Sequence, residues 1–335
     1  MINNVILPST TPDDWPEIRQ SIYQRIVDSF GEPSLPLPTE KAAYEEIERY
    51  EKYGLTHIRL RYHMIGDEWN EGICVVPADV SPERPAPAVL VCHGSNLVKG
   101  KHGMLDLEGR PNRAYAVELA QRGYVTLSVD QPGFGPVLQH TTQEQITKDF
   151  YQRHPRWSLT GWRIHAHKRA LEVLEQLPFV QGPCFGAMGH SLGGYAVLCL
   201  MALDERVAVG VTSTGVSPNL YNVYRSITVH RLHEPQFADA VAKSRGHMPW
   251  EKQEMIALCA PRALLMIEPF YDPYNPYIIP TFESMAKAAE VYKLLSAQEK
   301  ISTVIHGDGH DTITDIRNYC YGWFDRFLAP KVADA

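Results

Sequence analysis

The run Gly189-His190-Ser191-Leu192-Gly193-Gly194 contains Gly-x-Ser-x-Gly, a spacing suited to one kind of chemistry. A serine on a turn too tight for bulky neighbours needs glycine on both sides, and its hydroxyl then stands clear of the backbone to attack an electrophile. The flanks supply the required setting, since residues 184–188 read as a strand and 195–202 as a helix. The positive end of that helix would lie beneath the hydroxyl and favour developing negative charge.

A serine hydroxyl is a weak nucleophile and needs a base within hydrogen-bond reach. Residues 301–305 read as a final strand, followed by His306-Gly307-Asp308-Gly309-His310-Asp311. His310 is the preferred base because its glycine-containing loop lets an imidazole swing over the sheet edge; His306, which abuts the strand, is the other candidate. The acid that orients the imidazole is expected after the preceding strand, where Glu268-Pro269-Phe270-Tyr271-Asp272-Pro273 follows residues 264–267. Asp272 lies a few residues past the strand end and is preferred, with Glu268 as its rival. Attack on an acyl carbonyl also needs donors aimed at the oxyanion, worth ~3–4 kcal/mol each. The backbone N–H of Leu192 and that of Ser95, in the loop Cys92-His93-Gly94-Ser95-Asn96, are assigned this part, with His93 as a loop-holder.

The elements that must position these residues follow from the apolar pattern. Short apolar runs at 88–92, 125–129, 184–188, 207–213, 263–267 and 301–305 alternate with helical patterns at 112–121, 162–177, 192–203, 282–295 and 313–328. Continuous apolar strands separated by crossover helices imply an α/β fold with a mostly parallel sheet covered on both faces. Residues 57–65 alternate apolar and polar side chains, and 72–76 read as their hairpin partner, which makes the sheet mixed. Upstream, Trp15, Ile18, Ile22, Ile26 and Phe30 recur at helical spacing, and a second helix is expected over 40–53, ended by Gly54. The chain therefore divides into an N-terminal helical appendage, 1–56, and a catalytic domain, 57–330. Two connections are long, 136–161 and 214–258, and the second is read as a cap or lid insertion. Phe270, Tyr271, Tyr274 and Tyr277 near Asp272, with Tyr221, Tyr224 and Trp250 in the insertion, are candidates to line a pocket.

Composition narrows the partners. Hydrophobic residues at 44% and charged residues at 21% give ample apolar mass for a core and exclude a disordered chain. With 32 basic against 39 acidic residues the net charge is −7, and no basic cluster is present, so neither nucleic acid nor a membrane surface is an expected partner. The longest apolar run, 195–203, is far short of the ~20 residues a spanning helix needs. The first residues lack a basic and then apolar leader, and six scattered cysteines without a CxxC pair read as reduced thiols, so a cytoplasmic location is expected. Asp130-Gln131-Pro132-Gly133-Phe134-Gly135 lacks the strand–GxGxxG–helix unit of a phosphate site and reads as a brace near the active site. His230-x-x-His233 and His165-x-His167 have no supporting ligands, and neither metal nor cofactor is expected.

Taken together, His93-Gly94-Ser95-Asn96, the run from Glu118 to Val125, Asp130 through Gly135, the motif at Gly189–Gly194, Asp272-Pro273 and Gly309-His310 resemble the α/β-hydrolase superfamily, and within it the dienelactone hydrolase and acetyl xylan esterase-like group. The likeness covers about residues 57–328, and the order serine, aspartate, histidine is the order of that fold. Ser191 stands where dienelactone hydrolases proper usually carry cysteine, so cleavage of dienelactone itself is not expected. The resemblance implies a serine hydrolase of carboxylic esters, of small-molecule or acetyl type, working through an acyl-enzyme. Two other readings share the fold: a peptidase of the prolyl-oligopeptidase kind, usually attached to a large propeller domain, and a non-catalytic small-molecule receptor. The expected partner is a small ester, and a homo-oligomer is compatible with the sequence.

Overall fold

The computed structural model describes residues 3–95, 98–221 and 248–328. Its centre is a sheet built from β1 (Tyr44–Lys52), β2 (Leu55–Ile65), β3 (Glu68–Val76), β4 (Ala86–Cys92), β5 (Val125–Val129), β6 (Val180–His190), β7 (Val207–Ser213), β8 (Ala263–Pro269) and β9 (Ile301–His306). Their order across the sheet is β1-β2-β3-β5-β4-β6-β7-β8-β9. The first three strands and the β3–β5 pair run antiparallel, and the pairs from β5 through β4 to β9 are parallel. The mixed sheet expected from the sequence is therefore present.

The parallel strands read as unbroken apolar runs because both of their faces are covered. In β4, Ala88, Leu90 and Cys92 belong to one apolar cluster and Val89 and Val91 to the other. The first cluster lies under α1 (Trp15–Phe30), α4 (Leu159–Leu174) and α5 (Leu192–Leu203). It also takes in α6 (Lys252–Leu258) and α7 (Ile278–Leu294). The second is closed by α2 (Tyr115–Gln121) and α8 (Thr314–Phe327). One further helix, α3 (Gln143–Arg153), occupies much of the long 136–161 connection. Among the described residues no helix is long and apolar enough to cross a membrane.

Two expectations are corrected. Residues 40–53 are not a helix: 44–52 form the edge strand β1, in antiparallel register with β2. Tyr53 and Gly54 both have positive φ, 57° and 72°, the requirement of a two-residue type I′ hairpin turn. Gly54 is thus a turn residue rather than a helix terminator. The strand is nearly all exposed, so no buried face marks it in the sequence, and its Glu-rich composition favours a helix. Backbone pairing and cross-strand charge override that preference, with Glu45 opposite Arg61 at 2.6 Å and Glu48 opposite Arg59 at 3.6 Å.

The second correction concerns the 214–258 insertion. Residues 222–247 lie outside the described residues, but 252–258 are the buried crossover helix α6, not part of a lid. Trp250 belongs to the same core. Its indole N–H donates to Ser29 Oγ at 2.7 Å and its ring meets Phe30 edge-on at 6.2 Å. The helix α1 is therefore packed into the main core through Trp15, Ile22, Ile26 and Phe30. Trp250→Ala is expected to lower the unfolding free energy by ~3–5 kcal/mol in urea titration, since it empties a fully enclosed site.

Candidate active site

The site stands at the carboxyl ends of β4, β6, β8 and β9, where the loops of an open parallel sheet meet. Ser191 joins β6 directly to α5 and holds φ 58° and ψ −120°, a left-handed conformation that non-glycine residues rarely adopt. Its N–H is shared between Ser213 O at 2.8 Å and Thr214 Oγ1 at 3.0 Å, which anchors the turn to the end of β7. A side chain at Gly189 would overlap the Gly193 carbonyl, and one at Gly193 would overlap the Cys92 carbonyl. The flanking glycines are thus a packing requirement between β6, α5 and the end of β4. The N–H groups of the first turn of α5, that of Leu192 included, have no intrahelical acceptor and lie beside the serine.

His310 follows β9 on a loop in which Gly309 has φ 66°. Its Nδ1 is 2.7 Å from Asp272 Oδ2. Asp272 Oδ1 accepts the Tyr274 N–H at 2.7 Å, and the carboxylate is almost wholly buried. Burial opposes the charge on Asp272, yet the hydrogen bonds from His310 and Tyr274 outweigh it and hold the carboxyl below its ordinary value. An ionised Asp272 keeps the His310 proton on Nδ1 and leaves Nε2 as the basic nitrogen. Ser191 and His310 line one cavity of about 670 Å³, together with Ser95, His190 and Tyr274. The Tyr274 ring rests against the His310 imidazole at 4.7 Å.

Two residues that the sequence reading did not single out tie the elbow to the histidine loop. His190 lies 4.6 Å from the His310 ring, with Nδ1 2.9 Å from Ser213 Oγ and Nε2 3.0 Å from the Arg113 guanidinium. Arginine only donates, so His190 Nε2 is the acceptor and the ring is neutral, with its proton on Nδ1. Burial first, then the Arg113 charge, depresses its pKa well below the ordinary value. The same guanidinium donates to the His310 carbonyl at 3.1 Å and is ion-paired to Asp311. The available signal in the sequence was the charge of Asp311 beside His310. Nothing local pointed to Arg113, which lies on the short turn before α2.

The remaining candidates separate clearly. Glu268, the rival acid, is fully buried and accepts the Val216 N–H at 3.1 Å rather than meeting His310. His306 is buried at the end of β9, facing Asp308. His93 is a loop-holder, as expected: its Nε2 accepts the Gln131 N–H at 2.8 Å and its Nδ1 lies 2.7 Å from Gly94 O. Asp130 pairs with buried Lys101, and the Phe134 ring meets His93 edge-on at 5.7 Å, so the loop 130–135 braces the site. Ser95 is exposed at the cavity, while Asn96 lies outside the described residues. Of the aromatic candidates, Tyr274 lines the cavity, Tyr221 packs against Tyr277 at 5.8 Å, and Tyr224 is outside the described residues. His165 and His167 are buried in α4, and His230 and His233 fall outside the described residues. The six cysteines are free, and all but Cys184 are buried.

A strained serine between strand and helix, on a mostly parallel sheet in this strand order, defines a class. A family model for the alpha/beta hydrolase family matches residues 68–332, and the chain belongs to that family. It is similar to YtaP of Bacillus subtilis (strain 168), with 25% identity over 198 residues, 58% of this chain and 63% of that protein. It is also similar to dipeptidyl-peptidase 5 of Porphyromonas gingivalis, with 26% identity over 189 residues, 55% of this chain but 23% of the peptidase. The chain thus covers less than two thirds of either relative. Among solved structures, a glucuronoyl esterase from Solibacter usitatus superposes with a TM-score of 0.76 at 17% identity, covering 97% of each chain, which shows the common fold.

Glu268 yields a prediction with a definite sign. Burial pushes its carboxyl well above the ordinary carboxylate range, so the folded protein keeps a proton that the unfolded chain releases. Stability contributed by this group is then present below the ordinary carboxylate value and is lost as pH rises. Relative to wild type, Glu268→Gln should be near-neutral at about pH 4 and increasingly stabilising toward about pH 8, read from thermal melts across that range.

Proposed function

We propose that the protein is a serine hydrolase of carboxylic esters, with Ser191 as nucleophile, His310 as general base and acid, and Asp272 as the orienting carboxylate. The observation that carries this reading is the Ser191 elbow sharing a cavity with a histidine whose Nδ1 is hydrogen-bonded to a buried carboxylate. His310 Nε2 takes the Ser191 proton as Oγ attacks the ester carbonyl. Negative charge moves to the carbonyl oxygen, where the Leu192 and Ser95 N–H groups stabilise it at the positive end of α5. The alcohol leaves with the proton from His310. Water then attacks the acyl-enzyme, with His310 again as base. Asp272 offsets the imidazolium charge in both halves of the cycle. The substrate is a small ester, and the free, mostly buried thiols fit action in the cytoplasm.

The esterase named among the structural neighbours supports the ester reading, and the similarity to a dipeptidyl-peptidase makes amide cleavage the second one. A burst of p-nitrophenol from p-nitrophenyl acetate is expected for the wild type. Ser191→Ala should lose the burst and at least ~10⁴-fold in kcat/KM. Equal activity in both proteins would overturn the assignment, and faster turnover of the matching anilide would favour the peptidase reading.

The bridge made by Arg113 generates a separate expectation. Arg113→Gln frees the His310 loop from His190, and misplacing the base should reduce kcat by roughly 10- to 100-fold. KM should change less, as steady-state kinetics with a neutral acetate ester would reveal.

A further inference from the structure

The charge lining the Ser191 cavity is unlike that of the chain as a whole. The protein carries a net −7, yet the lysine and arginine residues at this cavity wall are Lys99, Arg110 and Arg113, with no aspartate or glutamate among its described lining residues. Two of these cations are already neutralised from behind. Lys99 Nζ is 2.9 Å from Asp106, and Arg113 is paired with Asp311.

Arg110 is different. It is half-buried, and among the described residues its guanidinium has no ion pair and no hydrogen bond. Its backbone is held firmly: the N–H donates to Asp106 O at 3.0 Å, and the carbonyl accepts the Arg113 N–H at 2.9 Å. Those two bonds fix the base of the side chain immediately before the Arg113 turn. Arg110 also lines an adjoining cavity of about 390 Å³ that it shares with Pro111, Asn112, His310 and Asp311. The side chain therefore stands where the two hollows meet, beside the base. Its field reaches the site, since it adds to the charges that keep buried His190 neutral.

A neutral ester offers nothing that requires a full positive charge. Withdrawing a guanidinium partly from water without a partner costs free energy, and an anion placed against it would recover that cost. Its planar fork matches a carboxylate through two parallel N–H···O bonds. We infer that Arg110 is a substrate-recognition residue, and that the preferred substrate is an ester carrying a free carboxylate on its acyl or alcohol part. This rests on the hydrolase reading above and narrows it to a substrate class. The acyl transfer is unchanged: Ser191 Oγ bonds to the ester carbon, the alcohol leaves with the His310 proton, and water releases the acid. The carboxylate against Arg110 takes no part in bond making.

Two matched ester pairs test the inference. Para-acetoxybenzoate and para-acetoxybenzamide place the charge on the alcohol side. The phenyl monoester of glutaric acid and the phenyl ester of glutaramic acid place it on the acyl side. In at least one pair, wild-type kcat/KM for the carboxylate member, corrected for its spontaneous hydrolysis, should exceed that of the amide by roughly tenfold or more, chiefly through KM. The excess should vanish in Arg110→Gln, return in part in Arg110→Lys, and shrink as salt is added. Arg84→Gln removes an exposed charge near the opposite end of β4 and should leave the ratio unaltered, which separates local recognition from net charge. No excess in either pair, or an excess that survives Arg110→Gln, overturns the inference. If none of the four esters is cleaved, the hydrolase reading fails instead. Calorimetry on Ser191→Ala then decides the anion site independently: benzoate binding tighter than benzamide, with the difference lost in the Ser191→Ala/Arg110→Gln double variant, supports it, and equal binding overturns it.

Discussion

The structure depends on one local constraint, the turn at Ser191 that converts a buried strand into a buried helix without an intervening loop. Such a turn holds its central residue at positive φ, and only the surrounding structure can maintain that strain. Three neighbours supply the restraint. The end of β4 presses against Gly193, α5 folds back over Gly189, and the end of β7 captures the Ser191 N–H. The order of strands in the sheet follows, because β6 must lie between β4 and β7 for all three contacts to form. What results is a hydroxyl raised above the sheet edge, with unpaired helix N–H groups beside it.

Electrostatics in the site is arranged by pairing against burial. Asp272 is buried but is held below its ordinary value by hydrogen bonds and by the charge His310 can carry. Glu268, four residues earlier, is more deeply buried and faces the like charge of Asp272, so its hydrogen bonds do not keep it from being raised. Two carboxyls on one strand end thereby acquire different roles. The two adjacent histidines divide in the same manner. His190 is locked neutral by Arg113 and Ser213, while His310 keeps its Nδ1 on a carboxylate. Arg113 joins the two, so the Ser191 turn and the His310 loop are held as a unit even though they arise from opposite sides of β7 and β8.

Much of this was legible in the chain because the relevant signals are local. Glycine at both flanks of Ser191 reports a turn with no room for side chains, and the apolar runs of β4 to β8 report strands covered on both faces. The failures also share a cause. The strand β1 has almost no buried face, so its place in the sheet is decided by pairing with β2 and by the positive-φ turn at Tyr53-Gly54, neither of which leaves a hydrophobic pattern. The crossover helix α6 was hidden by the length of the segment before it. Trp250 looked like a pocket residue by its position in that segment and is instead part of the core beneath α1.

The sequence by itself determined the class of the fold, the serine with its strand–turn–helix setting, and the order Ser191, Asp272, His310 along the chain. These depend on periodicity and on backbone requirements at single positions, which act over a few residues. Tertiary structure turned the sequence preference for Asp272 over Glu268 into a contact with His310, and it alone decided that Arg113 spans the Ser191 turn and the His310 loop. It alone left Arg110 without an ionic partner among the described residues at the cavity. Each of these is a matter of charges brought together from segments far apart in the chain, and Coulombic pairing depends on distance and burial, not on sequence spacing.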